Sequence, residues 1–201
     1  FFIGIIGANI IFPFILNDLA ILFSIKEFNN FSLASISTLF AALFNFEGLK
    51  QGKLAVIVGI YALEVPLTSL LSYFVIDEKI NLLQTILISL TVFGIFSLSV
   101  KKFEISKKIN LEKGVLYAIF GTIFMSVTNF LFGLGGRETS PLMVNFTTSL
   151  ILAIFCFFFL MYRNELTLPI KHLKHNTKLI IGMTILDNFA WIFYTYSMFL
   201  I

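Results

Sequence analysis

The sequence predicts an all-α fold, a polytopic transmembrane helical bundle, on three observations. Hydrophobic residues make up 58% of the 201 residues and charged residues 12%, whereas soluble domains have about 45–50% and about 25%. The apolar residues form long runs separated by short polar joints. Alternation at period two, which is typical of a transmembrane barrel, is absent from the sequence. Helices therefore remain as the structure that satisfies backbone hydrogen bonds in lipid.

Seven apolar runs approach the length of about 20 residues that a helix needs to cross a hydrocarbon core. In chain order they are residues 1–25, 32–49, 54–76, 81–100, 114–134, 142–162 and 178–201. Asn17 and Asp18 interrupt the first run. Because the chain starts and stops within apolar sequence, we expect it to be an internal part of a longer polytopic protein.

The basic residues predict an orientation. The joints after the second, fourth and sixth runs hold eleven of the fourteen Lys and Arg residues, including segments 101–113 and 163–178. Such an excess is typical of cytoplasmic loops, so residues 77–79 and 137–138 are predicted on the other side. Segment 163–178 interleaves apolar and basic residues, which fits either a short interfacial segment on anionic lipid or a plain cytosolic loop.

Polar residues within three of the runs recur every three or four positions and so share a helix face. They are Tyr61, Glu64, Thr68 and Ser72; then Thr122, Ser126 and Asn129; then Thr184, Asp187, Trp191, Tyr194 and Met198. Polar groups facing hydrocarbon are unpaired, so these faces are predicted to face protein or water. At the Ser and Thr positions we expect hydrogen bonds between helices.

Two carboxylic acids lie within predicted spans, where ionisable groups are costly and are functional candidates. Glu64, two residues before Pro66, is interpreted as a cavity carboxylate that binds a substrate amine or carries a coupling proton. The alternative is a protonated Glu64 that hydrogen-bonds a neighbouring helix. Asp187 precedes Trp191 and Tyr194, a combination suited to an organic cation, although a shallow interfacial position explains the aromatic residues equally simply.

Other chemistries lack the residues that they need. His172 and His175 have no third ligand nearby, which argues against a zinc site. The glycines of segment 133–136 follow no strand and precede no Lys-Ser/Thr pair, so they form no phosphate loop. Cys156 lies among Phe residues and is interpreted as a packing residue. We therefore expect no catalytic residues, no metal, no cofactor and, with a net charge of only +3, no nucleic-acid partner.

A weak internal repeat has an offset of about 150 residues. Residues 28–46 and 178–196 match in hydropathy, and both end in aromatic residues. One stretch is more distinctive: it runs from Glu64 through Pro66 and the acidic turn Asp77-Glu78-Lys79, and it is followed by a run with Gly94 near its end. This stretch resembles the fourth and fifth helices of the EamA-type drug/metabolite transporter superfamily. Residues 114–134 with Ser140-Pro141 look like the opening of its second repeat.

The resemblance implies a ten-helix plan of two inverted five-helix repeats, both incomplete here, with helices two to eight present. Residues 1–105 would end the first repeat with about four spans, 106–113 would be a basic inter-repeat loop, and 114–201 would start the second repeat with about three spans. Two departures stand out: Val65 separates the acid from the proline, and Asp77 replaces the usual Gly of the acidic turn. Members keep both ends in the cytoplasm, which conflicts with the orientation that the lysines predict.

The resemblance also implies a function: secondary transport or export of small organic metabolites, amino-acid-like or amine-like, by alternating access in the plasma membrane. It places substrate-facing groups on the third, fourth, eighth and ninth helices. The candidate substrate-binding residues are Glu64, Tyr61, Asn45, Asp187, Asn188, Trp191 and Tyr194. Expected partners are a small-molecule substrate and the lipid bilayer, with homodimerisation open. The alternative is a polytopic membrane enzyme, or a structural membrane subunit without a transport cavity.

Overall fold

The computed structural model describes residues 2–16, 18, 25–99 and 113–200, and every regular element in these residues is a helix. In chain order the α-helices are α1 (Phe2–Ile11), α2 (Ile25–Gln51), α3 (Leu54–Tyr61), α4 (Glu64–Ile76), α5 (Leu82–Ser99), α6 (Lys113–Glu138), α7 (Pro141–Tyr162), α8 (Leu168–His175) and α9 (Thr177–Leu200). A short 3₁₀ turn, Phe12–Phe14, follows α1. The all-α prediction is confirmed.

Five helical segments in the described residues are long and apolar enough to cross a membrane. They are Phe28–Gln51, Leu54–Ile76, Gly114–Glu138, Pro141–Tyr162 and Thr177–Leu200, and they coincide with five of the seven predicted runs. Phe2–Phe14 and Leu82–Gly94 are apolar but shorter. The architecture fits a helical membrane protein that passes the bilayer several times. Residues 106–112 of the predicted inter-repeat loop lie outside the described residues.

Local sequence explains where several helices start and stop. Ser140 caps α7, because its hydroxyl accepts a hydrogen bond from the Met143 amide at 3.1 Å, and Pro141 occupies the first helical position, where its missing N–H costs nothing. Helix α4 ends at Asp77, whose φ of 52° is left-handed and is tolerated by Asp better than by most residues. The start of α7 and the end of α4 are thus both determined by local sequence.

A two-residue break at Ala62 and Leu63 divides the third predicted run into α3 and α4. Pro66 lacks the N–H that would otherwise donate to the Ala62 carbonyl, so the continuous helical ladder is interrupted at this point. The break places Glu64 at the start of α4 and leaves the Ala62 carbonyl without its helical backbone donor.

The chain forms two compact units. The first unit comprises Phe1–Ile36 and Leu131–Ile201, and the second unit comprises Ser37–Phe130. The first unit therefore holds α1, α7, α8 and α9 with parts of α2 and α6. The second unit holds α3, α4 and α5 with the remaining parts of α2 and α6. The predicted division at residues 106–113 stays a prediction.

Small residues and stacked rings let the helices of each unit pack closely. In the first unit, α1 packs against α7 and α9, and a Cβ added at Gly4 would lie 2.6 Å from the Ser149 carbonyl oxygen. In the second unit, Phe44 of α2 stacks on Phe124 of α6, with ring centroids 5.7 Å apart and an interplanar angle of 8°. Ala118 of α6 is fully buried against Ile57 of α3. These contacts fix the register of the helices that carry the polar side chains.

Candidate functional site

Glu64 is held by α6 in the second unit. The Asn129 side-chain Nδ2 donates a hydrogen bond to Glu64 Oε1 at 2.7 Å. Glu64 is half-buried, and Asn129 is only 3% exposed. A hydrogen bond to a carboxylate is worth more than one between neutral groups, so the pair orients the Glu64 carboxyl toward α6. The hydrogen bond to a neighbouring helix that one sequence interpretation requires is therefore present.

Polar side chains of α6 also hydrogen-bond to backbone carbonyls around the break that precedes Glu64. The Ser126 hydroxyl donates to the Glu64 main-chain carbonyl at 3.2 Å, and the Thr68 hydroxyl donates to the same carbonyl at 2.8 Å. The Thr122 hydroxyl lies 3.5 Å from the Ile60 carbonyl oxygen. Thr122, Ser126 and Asn129 thus contact the α3–α4 break from one face of α6. The predicted interhelical hydrogen bonds of Ser and Thr are confirmed at Ser126.

Tyr61 and Asn45 meet in the same unit. The Tyr61 hydroxyl donates to the Asn45 main-chain carbonyl at 2.6 Å. The Asn45 side-chain oxygen is buried against Gly121 of α6, where an added Cβ would collide with it. No hydrogen-bond donor reaches this oxygen from the described residues. An unpaired buried acceptor costs about 1–3 kcal/mol, so this close packing is unfavourable for the Asn45 amide.

The candidates of α9 lie in the first unit. Asn188 is 5% exposed, and its Nδ2 donates to the Ile3 carbonyl of α1 at 3.2 Å and to the Thr184 carbonyl at 2.8 Å. Its side-chain oxygen lies against Gly7, which has no Cβ to obstruct it. Asn188 therefore ties α9 to α1, and this contact gives it a packing role independent of any substrate.

Trp191 and Tyr194 form an aromatic group on α9. The Trp191 ring lies 4.9 Å from that of Phe132 and 5.7 Å from that of Tyr194, measured between centroids. Asp187, one turn before Trp191, is half-buried, and no hydrogen bond or ion pair to its carboxylate occurs within the described residues. The Asp187 carboxylate thus keeps its acceptor capacity one helical turn from an aromatic group, and a cation site uses both kinds of group.

The seven predicted site residues thus fall into two groups. Asn45, Tyr61 and Glu64 belong to the second unit, and Asp187, Asn188, Trp191 and Tyr194 belong to the first. The structure joins Tyr61 to Asn45 and Trp191 to Tyr194 by direct contact. One cavity lined by both groups stays a prediction.

Two buried asparagines that are not among the predicted site residues make side-chain hydrogen bonds. Asn129 belongs to the α6 stripe but is absent from the predicted site. Asn145 of α7 is 4% exposed, and its Nδ2 donates to the Pro141 carbonyl at 2.7 Å and to the Thr195 hydroxyl at 2.9 Å. The available signal for both residues is an amide within an apolar run.

Hydroxyls beside Asn145 are also buried. Thr147 is 1% exposed and Thr148 is 3% exposed. Their hydroxyl oxygens have no hydrogen-bond partner in the described part of the chain. These groups add to the buried polar surface of α7.

Three grooves within the units are mainly apolar. In the second unit, one of about 460 Å³ is lined by Phe44, Leu116, Tyr117 and Phe120, and another of about 170 Å³ lies beside Leu67 and Ile123. In the first unit, one of about 410 Å³ lies beside Ile5 and Phe157. None of the seven predicted site residues lines these three grooves, whose chemistry suits hydrocarbon rather than a polar solute.

In the residues that the structure describes, no three His, Cys, Asp or Glu side chains lie close enough together to hold a metal ion. No family model, curated protein or solved structure matches the chain. The resemblance to EamA-type transporters therefore rests on the sequence motifs alone.

Proposed function

We propose that this protein is a secondary transporter of small organic metabolites that carry an amine, of the EamA type, working by alternating access between two inverted repeats in the plasma membrane. The observation that carries the proposal is the intramembrane carboxylate of Glu64 held by the buried amide of Asn129. Intramembrane acids are rare and commonly mark substrate or proton pathways.

The geometry at Glu64 suits a group that exchanges partners. Asn129 engages one carboxylate oxygen, Oε1, and a carboxylate can accept several hydrogen bonds through its two oxygens. An ammonium group or a proton can therefore bind at the other oxygen while Asn129 keeps the side chain in place. Competition between proton and ammonium for one carboxylate would couple substrate release to proton uptake.

Asp187 supplies a second carboxylate with aromatic neighbours, which supports an organic cation rather than an anion as the cargo. The ring of Trp191 already contacts Phe132 and Tyr194, so the aromatic group is preorganised. We propose that Asp187 and Trp191 contribute a cation-binding group within the first unit.

A structural membrane subunit is the second candidate, and one observation favours it. Several stripe residues donate to backbone carbonyls of an adjacent helix, as Ser126 does to Glu64 and Asn188 does to Ile3. Hydrogen bonds of this kind stabilise helix packing and need no solute. The two candidates differ in whether the purified protein moves a solute.

Uptake into proteoliposomes separates them. The purified protein is reconstituted and tested with radiolabelled amines and amino acids, and Glu64→Gln is compared with Glu47→Gln, a matched change at an acid near the end of α2. Losing a charge-assisted hydrogen bond of about 1.5–3 kcal/mol lowers cation uptake by about tenfold or more in Glu64→Gln, while Glu47→Gln stays active. Uptake no greater than that of empty liposomes contradicts the transporter proposal.

A further inference from the structure

The joint between α7 and α9 contains an exposed helix. Residues 163–167 separate α8 from α7, and Asn176 alone separates it from α9. No residue of α8 is buried. Both neighbouring helices are long and apolar enough to span a membrane, so the short connections hold α8 close to the membrane surface.

Helix α8 has two chemically different faces. At 100° per residue, Pro169, Leu173 and Ile170 lie within an arc of about 100°, and Lys174 and Lys171 lie on the adjoining arc, about 40° and about 100° beyond Ile170. Ile170 is 56% exposed. An exposed apolar side on a helix tethered at a bilayer is suited to the boundary between headgroups and acyl chains.

The adjoining basic face carries positive charge that the described chain does not neutralise. No carboxylate within the described residues lies at salt-bridge distance from Lys171, Lys174 or Lys178. The acid of this joint, Glu165, is paired with Arg163 at 3.2 Å. The surface of α8 therefore attracts anions.

We infer that α8 is an interfacial helix that binds anionic phospholipid through Lys171 and Lys174. Its apolar side enters the headgroup boundary, and its lysines contact lipid phosphates. Tethering supports lipid over a soluble acidic partner, because the effective concentration of a surface held within a few residues is high. The lysine bias that predicts a cytoplasmic joint agrees with this choice, since anionic lipids enrich the cytoplasmic leaflet. The inference does not depend on transport.

Fluorescence quenching by brominated lipids tests the inference in the reconstituted protein. In a Cys156→Ala background, a fluorophore is attached to Leu173→Cys on the apolar side or to His175→Cys on the basic side. Vesicles contain equal fractions of brominated phosphatidylglycerol or brominated phosphatidylcholine. We expect strong quenching at position 173, weaker quenching at 175, and more quenching by phosphatidylglycerol than by phosphatidylcholine.

Charge variants complete the test. Lys171→Gln and Lys174→Gln should each lower the preference for phosphatidylglycerol by up to about fivefold, whereas Lys79→Gln, in the joint between α4 and α5, should leave it unchanged. Both lysines are exposed, so their replacement spares the fold. No quenching at position 173 would place α8 in water, as a plain loop or the docking site of a soluble protein, and would overturn the inference. Equal quenching by the two lipids would overturn its anionic selectivity.

Discussion

Glu64 and Asn129 show what residue type and spacing predict and what they leave out. An acid within an apolar run is conspicuous in the sequence, and its position on one face of α4 with Thr68 follows from helical periodicity. Its partner is 65 positions away, and only the packing of α4 against α6 identifies Asn129 among the polar residues of the runs. Candidate residues are thus predictable from sequence, while their partners depend on tertiary contacts.

Removing Asn129 should weaken the protein through Glu64. Asn129→Ala leaves Glu64 Oε1 without its hydrogen bond, at an expected cost of about 1–3 kcal/mol in the free energy of unfolding. Denaturant unfolding in detergent, run as a double-mutant cycle with Glu64→Ala, which removes the acceptor, measures the coupling. Additive effects of the two substitutions would show that the pair contributes no interaction energy.

The pH dependence of uptake reports on the same carboxyl. If proton and ammonium compete for Glu64, protonation at lower pH removes the binding carboxylate, so the KM for an amine should rise as pH falls. In Glu64→Gln the side chain no longer titrates, so the KM should not change with pH across the same range. Initial-rate uptake at several pH values measures this, with Glu47→Gln as the control. A pH dependence that survives in Glu64→Gln would leave Glu64 as a packing residue.

At the scale of single helices, apolar runs predict element position well. The run 54–76 coincides with the span Leu54–Ile76, and the run 142–162 lies within one residue of Pro141–Tyr162. The sequence interpretation leaves residues 163–178 open between an interfacial segment and a plain loop, because eight residues with a proline give little periodic signal. It also treats residues 54–76 as one helix, whereas Pro66 divides them into two.

Close helix packing in the first unit makes its own prediction. A Cβ at Gly4 would lie 2.6 Å from the Ser149 carbonyl oxygen, whereas a Cβ at Gly182 would meet nothing within 4 Å. Gly4→Ala should therefore destabilise the protein by about 1–3 kcal/mol through overpacking. Gly182→Ala, at an open helical position, should stabilise it by about 0.5–1 kcal/mol. Thermal unfolding of both variants measures the difference, and equal shifts would contradict the close contact of α1 with α7.

At the scale of the whole molecule, composition and run length suffice for the all-α membrane architecture, because a bilayer constrains helix length so strongly. The arrangement of the repeats needs more than pattern. Residues 28–46 and 178–196 match only in hydropathy, and helices of similar hydropathy can pack in different orientations. Their inverted relation is therefore a proposal.

Solvent access to the polar face tests the central claim most directly. In a Cys156→Ala background, Tyr61→Cys places a thiol at the end of α3, on the predicted polar stripe that includes Glu64, and Leu70→Cys places one on an exposed apolar position of α4. The protein in sealed vesicles is treated from each side with a membrane-impermeant thiol reagent. We predict labelling at position 61, reduced by transported amine, and no labelling at position 70. A thiol at position 61 that stays unlabelled from both sides would contradict a solute path along this face.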